Sequence, residues 1–316
     1  MKPSIGSKGD SLMRVASIDI GTNTMLLLIA DIDRGGEIHV VSDRQRIVRL
    51  GASVDKGRVI LPDAFERCGT ALLAYRQEIR AHGVERTVAT GTSALRDARN
   101  REEFIAAMRD ATGIEIRVLS GEEEARFTYH GALSGFPGTT GPCAVLDIGG
   151  GSTELTIGTG SDVSAFHSTD VGAVRLTEQF FRHAPPLDEE IAACERALAS
   201  ALAQLPDFDS QTTILIGVAG TITTLAALEL GLESYDPAAV AGHPLALETI
   251  RKWHDVMRGM NTEELRHVLR IDPGRADVMF AGVTILRHFM QMRGVSTCIA
   301  SERGLRFGTA LDAARS

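Results

Sequence analysis

The apolar positions fall into short β-like runs that alternate with stretches of helical spacing, and their order predicts the architecture. Val15 to Ile20 reads as a strand, and past Gly21-Thr22-Asn23-Thr24 the run Met25 to Ile32 reads as a second, paired with it across a tight turn. After Gly35-Gly36, residues 37–49 alternate loosely as a third. From Pro62 the period changes. Phe65, Cys68, Leu72, Leu73, Tyr75 and Ile79 recur at helical spacing until Gly83, with the proline at a first-turn position where its missing N–H costs nothing. Thr87 to Thr90 predicts a strand, Glu102 to Ala111 a helix, Ile114 to Leu119 a strand and Glu122 to Leu133 a helix.

Gly135, Pro137, Gly138, Gly141 and Pro142 then punctuate the chain at its best domain boundary. Beyond it the order restarts. Ala144 to Asp147, Leu155 to Gly158 and Val163 to Ser168 predict strands, Leu176 to Phe181 and Ile191 to Leu205 helices, Thr213 to Val218 an apolar strand and Thr221 to Leu230 a helix. Leu247 to Met257 and Ala276 to Met292 are longer amphipathic helices, followed by a strand at Val295 to Ala300 and a helix at Leu305 to Ala314. Each pass carries Asp-Ile-Gly at its first turn, at Asp19 and at Asp147, so internal duplication is the simplest explanation. Two α/β halves with matching loops would face each other across a cleft, with a ligand where the loops converge.

Composition supports two domains, since 316 residues exceed the roughly 150 of one ordinary domain. With 44% hydrophobic residues the chain can bury two cores. Its 41 acidic against 33 basic residues, a net charge of −8, argue against an extended nucleic-acid surface while leaving room for a phosphate compound held by a few arginines. Cys68, Cys143, Cys194 and Cys298 are far apart, with no Cys-x-x-Cys pair, and read as buried thiols in a reducing compartment. No run approaches the roughly 18 apolar residues of a membrane span, and residues 1–12 lack the apolar core of a signal peptide. A cytoplasmic protein is expected, with residues 1–12 as a disordered extension and Met13 as an alternative start.

The chemistry concentrates in Asp147-Ile148-Gly149-Gly150-Gly151-Ser152-Thr153-Glu154. Glycines let consecutive N–H groups form a concavity for phosphate oxygens, and Ser152 and Thr153 add hydroxyl donors. Asp147 and Glu154 would repel phosphate, so a divalent cation held by oxygen ligands between protein and phosphate is implied. The plainer alternative is a glycine-rich hairpin turn carrying two solvated acids.

Six segments in this order resemble the exopolyphosphatase and guanosine pentaphosphate phosphohydrolase (Ppx/GppA) family, part of the actin-like superfamily of duplicated ribonuclease-H-like domains. They are Ile18 to Thr24, Thr90 to Asn100, Ser120 to Arg126, Asp147 to Glu154, Gly220 to Thr224 and Ser301 to Arg306, and the resemblance runs from about Val15 to Ala314. It implies an α/β protein of two actin-like domains around a central cleft: domain I at residues 13–135 joined by the C-terminal helix 303–316, and domain II at 136–302. The implied activity is release of terminal orthophosphate from inorganic polyphosphate, or of the 5′-γ-phosphate from guanosine pentaphosphate. Longer relatives carry a further C-terminal helical domain for which this sequence has no room, which places it among the short members. A homodimer is compatible with the family.

Glu122, Glu123 and Glu124 open a helix, where successive side chains point about 100° apart, so at most one aims squarely into a cleft. The family's Ser-Gly-x-Glu-Glu-Ala-Arg pattern places the catalytic glutamate at Glu124. By the same resemblance Asp147 and Glu154 are the metal-binding and water-orienting carboxylates, Asp19 their counterpart in the first half, and Mg²⁺ the cofactor, with Mn²⁺ as an alternative. Gly21, Thr22, Asn23 and Thr24 would hold phosphate together with Gly149, Gly150, Gly151, Ser152 and Thr153. Gly220 and Thr221 form a third anion seat at a helix N-terminus, and Arg96 is the leading basic candidate because guanidinium can grip phosphate bidentately. Arg49, Arg275 and Arg303 also sit at familiar positions. Leu26 departs from the family, where many relatives carry arginine or histidine, which favours polyphosphate over the alarmone. The nine histidines show no ligand spacing. A phosphate or alarmone sensor without turnover, and an actin-like sugar or acetate kinase, are the competing readings.

Overall fold

A computed structural model of the chain describes residues 12–52 and 54–316. The expected N-terminal extension, all but Leu12, lies outside the described residues. In chain order the first half consists of β1 (Met13–Ile20), β2 (Thr24–Ile32), β3 (Ile38–Ile47), α1 (Val54–Gly57), α2 (Pro62–Ala81), β4 (Arg86–Gly91), α3 (Ser93–Asp97), α4 (Arg101–Thr112), β5 (Ile116–Val118) and α5 (Gly121–Leu133). The second contains β6 (Pro142–Ile148), β7 (Thr153–Thr159), β8 (Asp162–Thr169), α6 (Ala173–Phe180), α7 (Asp188–Leu202), β9 (Ile214–Val218), α8 (Ala219–Glu229), α9 (Pro237–Val240), β10 (Pro244–Ala246), α10 (Leu247–Arg258), α11 (Thr262–Val268), a 3₁₀ turn (Pro273–Arg275), α12 (Met279–Arg293) and β11 (Thr297–Ala300). The chain closes with α13 (Leu305–Arg315).

The two sheets are built to one plan. The first runs β3-β2-β1-β4-β5, and the second, read from β8, runs β8-β7-β6-β9-β11 with β10 added at its edge. In both, the first three strands are antiparallel and the next two join in parallel. A register shift interrupts β2–β3 at Ile29/Ala30 and β7–β8 at Ile157/Gly158. These bulges are separated by the same sequence distance as Asp19 and Asp147, so the duplication extends to an irregularity that no hydrophobic pattern requires.

Each sheet has its own apolar layer. Ile18, Ile20, Leu27 and Ile29 pack with Leu72 and Tyr75 of α2 and Phe104 of α4. In the second half Leu146, Ile148 and Leu215 pack with α8 and α12 residues such as Leu225, Ile285 and Phe289. On the opposite faces lie α13 and α5. Phe307, Ala310, Leu311 and Ala313 of α13 cover Val15, Leu28 and Ala30 of the first sheet. Tyr129 and Ala132 of α5, assigned by sequence to domain I, cover Cys143, Val145, Ile216 and Val218 of the second. These two helices meet backbone to backbone. A Cβ on Gly308 would sit 1.9 Å from the carbonyl oxygen of Phe127, and one on Gly131 would sit 2.1 Å from that of Gly304.

The structure departs from the sequence expectation at five short elements, α1, α3, α9, β10 and α11, which are too brief for periodicity to declare themselves. The helix expected from Ala276 begins at Met279, because Pro273–Arg275 forms a 3₁₀ turn and the next bonds are still three residues long, the Ala276 N–H donating to the Pro273 carbonyl (3.3 Å) and that of Val278 to Arg275 (3.0 Å). The four cysteines are buried free thiols, and burial pushes Cys68, Cys194 and Cys298 up to about 12. Among the described residues no helix is long and apolar enough to cross a membrane.

Candidate active site

The two first hairpins bring their loops together. Asp19 and Asp147 are the penultimate residues of β1 and β6. Each hairpin is closed by the same bond, the Gly21 N–H donating to the Thr24 carbonyl (3.1 Å) and the Gly149 N–H to that of Ser152 (3.0 Å). The loop carbonyls are then consumed elsewhere. Thr22 accepts from the Gly51 N–H (2.8 Å), and Asn23 from Val48 and Arg49 (3.0 and 2.9 Å). Gly149 accepts from Ala173 (2.9 Å), and Gly150 from Val174 and Arg175 (2.8 and 3.1 Å). The N–H groups of Thr22, Asn23, Gly150 and Gly151 have no backbone partner among the described residues. Both loops therefore offer donors with their own acceptors tied away, the arrangement of an anion nest.

None of Gly149, Gly150 and Gly151 has a positive φ. What requires glycine here is close approach. A Cβ on Gly151 would lie 2.5 Å from Ser93 Oγ, and one on Gly150 3.0 Å from Thr22 Cβ. The loop of the second half is pressed against the first.

An inner pocket of about 130 Å³ between the halves is lined by Asp19, Gly21, Thr22, Asn23, Thr24, Glu124, Asp147, Gly149, Gly150, Gly151, Ser152, Gly220, Thr221 and Arg275, all named from sequence, with Thr92 and Ser93 besides. It opens past Leu26, Gly220 and Arg275 into an outer chamber of about 350 Å³, whose charged lining is Asp43, Arg44, Asp272, Arg275, Glu302 and Arg306 with Asp19 and Asp147. Glu124 and the loop residues Thr22, Asn23, Gly150 and Gly151 line the inner pocket and not the chamber, so the inner pocket is the chemical site.

Three expected residues lie off the pocket lining. Arg96 turns to α5, where it forms an ion pair with Glu124 and donates to the Leu119 carbonyl (3.2 Å), so its reach toward phosphate is replaced by a grip on the glutamate. Thr153 is fully buried and donates its hydroxyl to the Val171 carbonyl (2.6 Å). Glu154 lies behind Asp147, 3% exposed, accepting from Ser168 (2.6 Å) and from Ser152. At the third seat, a Cβ on Gly220 would meet the Arg275 guanidinium at 1.8 Å, so that arginine lies flat on the start of α8. Its Nε is anchored on Asp272 (2.6 Å). The neighbouring Ala219 has φ 69°, a left-handed conformation that costs a non-glycine residue of order 1 kcal/mol or more.

The glutamate trio divides as helix geometry demands. Glu122 is exposed, Glu123 forms a capping box with Ser120, and Glu124 is 7% exposed on the cleft side. Burial pushes Glu124 upward, and Arg96 pulls against it. Asp147 is pushed up to about 7 by burial and then by Glu124. Asp19 is pushed up to about 8 by burial, Glu124 and Asp147, with Arg306 opposing. Glu154 is raised by burial, Glu124 and Asp147, with the two serine hydroxyls opposing. Asp19 and Asp147 keep some surface on the cleft, where water softens the push.

Glu124 raises the other three acids and Asp147 raises Asp19 and Glu154; with Asp19 Oδ1 buried and without a hydrogen-bond partner among the described residues, this concentration of negative charge fits a cation. Among the described residues no three His, Cys, Asp or Glu side chains form a complete metal-holding group. Asp19 and Asp147, the two carboxylates with surface on the cleft, are a set that Mg²⁺ can use, since it takes one or two carboxylates and fills its shell with water and phosphate.

Two sheets of one plan, with their paired hairpin loops facing carboxylates in a pocket between them, define a duplicated α/β protein with a candidate anion site between its halves. The family model of the Ppx/GppA phosphatase family matches residues 28–316, and the chain belongs to that family. It is 36% identical to exopolyphosphatase 2 of Mycobacterium tuberculosis, covering 96% of this chain and 99% of that protein. It is 29% identical to a guanosine-5′-triphosphate,3′-diphosphate pyrophosphatase of Aliivibrio fischeri, over 93% of this chain and 58% of the relative. The crystal structure of the Aquifex aeolicus Ppx/GppA family member superposes with a TM-score of 0.80 at 34% identity, covering 96% and 98% of the two chains.

Sequence alone did not single out Ser93, which touches Gly151, or Arg175 and Asp97, which bridge the halves. Asp97 lies inside a recognised segment. Arg175 carries no local signal, because its role depends on a partner 78 positions away.

Proposed function

We propose that the protein is an exopolyphosphatase that releases terminal orthophosphate from inorganic polyphosphate by in-line attack of water. The observation that carries this reading is the placement of Glu124: a buried carboxylate, held by Arg96, at the wall of a pocket otherwise made of loop N–H donors. Breaking a phosphoanhydride needs a positioned water, an acceptor for its proton and donors for the charge on the transferring phosphoryl. Glu124 is the acceptor, and Arg96 fixes which oxygen faces the pocket. The N–H groups of Thr22, Asn23, Gly150 and Gly151 hold the terminal phosphoryl oxygens.

Asp147 and Asp19 are the residues that would hold Mg²⁺ or Mn²⁺, with Glu154 behind them. Bound there, the ion supplies positive charge to phosphate oxygens that the carboxylates would otherwise repel.

Guanosine pentaphosphate is the second reading, favoured by the outer chamber next to the inner pocket. Against it stand Leu26 and the acidic excess of the chamber lining. The deciding experiment is orthophosphate release from a polyphosphate length series and from the nucleotide, each with and without Mg²⁺. Turnover of short polyphosphate above the nucleotide is expected. Nucleotide turnover alone reverses the order of the two readings, and binding with no release from any of them removes the hydrolase.

A further inference from the structure

The pocket is assembled from two halves, so something must set their relative position. Arg175 of α6 belongs to the second half and is only 10% exposed. Its Nε donates to the Gly151 carbonyl (2.8 Å), and its Nη2 to Asp97 of α3 in the first half (2.7 Å). The residue before Asp97 is Arg96, which grips Glu124. One guanidinium thus ties the phosphate loop to the five-residue helix that presents the glutamate's partner. Among the described residues, the backbone hydrogen bonds that the loop carbonyls of Gly149 and Gly150 accept come from its own side, from the N–H groups of α6. Contact of Gly151 with Ser93, the first residue of α3, puts the two elements in van der Waals register. Asp97 has a second partner, Arg58 (3.0 Å), which belongs to its own half and cannot serve that purpose.

We propose that Arg175 and Asp97 are positioning residues. Their pair, formed across the cleft, aligns Glu124 with the phosphoryl group held on the Gly149–Gly151 loop. Neither touches the reacting atoms. The planar fork of arginine suits this use, because one nitrogen fixes the loop carbonyl and another the carboxylate in a rigid relation that lysine cannot reproduce. Misplacement of a catalytic group by about 1 Å can cost on the order of 10²-fold in rate. The proposal rests on the reading of the pocket as a phosphate-release site.

The test uses the full chain with tripolyphosphate as substrate and compares Arg175→Met, Arg175→Lys, Asp97→Asn and Arg58→Met. Arg175→Met and Asp97→Asn are expected to lower kcat by roughly 10- to 100-fold with KM changed by less than about threefold. Arg175→Lys should recover only part of the loss, and Arg58→Met should lose much less. Amide exchange should quicken in both residues 147–153 and 120–126 of Arg175→Met. A normal kcat in Arg175→Met, a rise in KM alone, or equal losses in Arg58→Met and Arg175→Met would overturn the proposal. So would faster exchange confined to 147–153. Should Arg175→Met not fold, Asp97→Asn carries the comparison from the other end of the pair. Should the wild-type chain release no phosphate, the activity reading fails, and the exchange pattern alone decides whether the pair couples the halves.

Discussion

Asp147 stands directly opposite Glu154 across the β6–β7 ladder, and at the same register of the β1–β2 ladder Asp19 stands opposite Leu26. The duplication thus kept one acid in each half and set a second acid beside only one of them. Glu154 brings two hydroxyl donors with it, Ser152 and Ser168. Leu26 lines the pocket wall with an apolar surface. The second hairpin therefore carries two facing acids and the first only Asp19, set against an apolar neighbour.

Replacing Glu124 by Gln should lower kcat by about 10²–10⁴-fold, the usual loss on removing a general base. The amide can keep a hydrogen bond to Arg96, so thermal unfolding should shift little relative to the loss of rate. Near-normal turnover in this variant, with Asp147→Ala inactive, would remove Glu124 from its role. Steady-state phosphate release at saturating tripolyphosphate reads the difference.

Stability without divalent cation should fall as pH rises from about 5 to 8.5. Asp19 and Asp147, pushed up to about 8 and 7, hold protons in the folded state that the unfolded chain has released. Where the folded state binds more protons, stability declines with rising pH. Cation binding needs the same groups deprotonated, so added Mg²⁺ should raise Tm more at pH 8.5 than at pH 6. Scanning calorimetry at the two pH values measures both slopes, and a Mg²⁺ increment that shrinks with pH contradicts the assignment of these acids.

Gly308→Ala should destabilise the fold by about 1–3 kcal/mol, the usual cost of overpacking. Its Cβ would meet the Phe127 carbonyl oxygen at 1.9 Å, and backbone there cannot swing aside as a side chain would. Because α5 carries Glu124, the displacement should also lower activity. Urea titration gives the first effect and phosphate release the second, with a wild-type midpoint arguing that the helices do not touch at this glycine.

Gly220→Ala should raise KM by several-fold while leaving the fold intact. The added carbon meets the tip of a flexible side chain, Arg275, which can move off the start of α8. That movement removes a guanidinium lining both the pocket and the chamber. An unchanged KM would show that Arg275 does not contribute to substrate binding.

Much of the architecture was legible in the chain. Local periodicity determined the strands and longer helices, because burying one face is a nearest-neighbour demand written into every third or second residue. The repeated Asp-Ile-Gly determined that there would be two equivalent halves, and the glycine-rich segments where the anion donors would lie. The glutamate run determined that only one of three acids could enter the cleft. Tertiary structure decided the rest. That Arg96 grips Glu124 instead of facing phosphate depends on α3 and α5 meeting across 28 positions. That Thr153 turns to Val171 follows from strand alternation, which sends the side chain next to Glu154 to the other face. The glycines of the second loop are needed for the approach of Thr22 and Ser93 from the other half, a constraint absent from their own neighbourhood. Sequence spacing encodes which way each element faces, but the identity of the partner it faces arises only when the two halves close on each other.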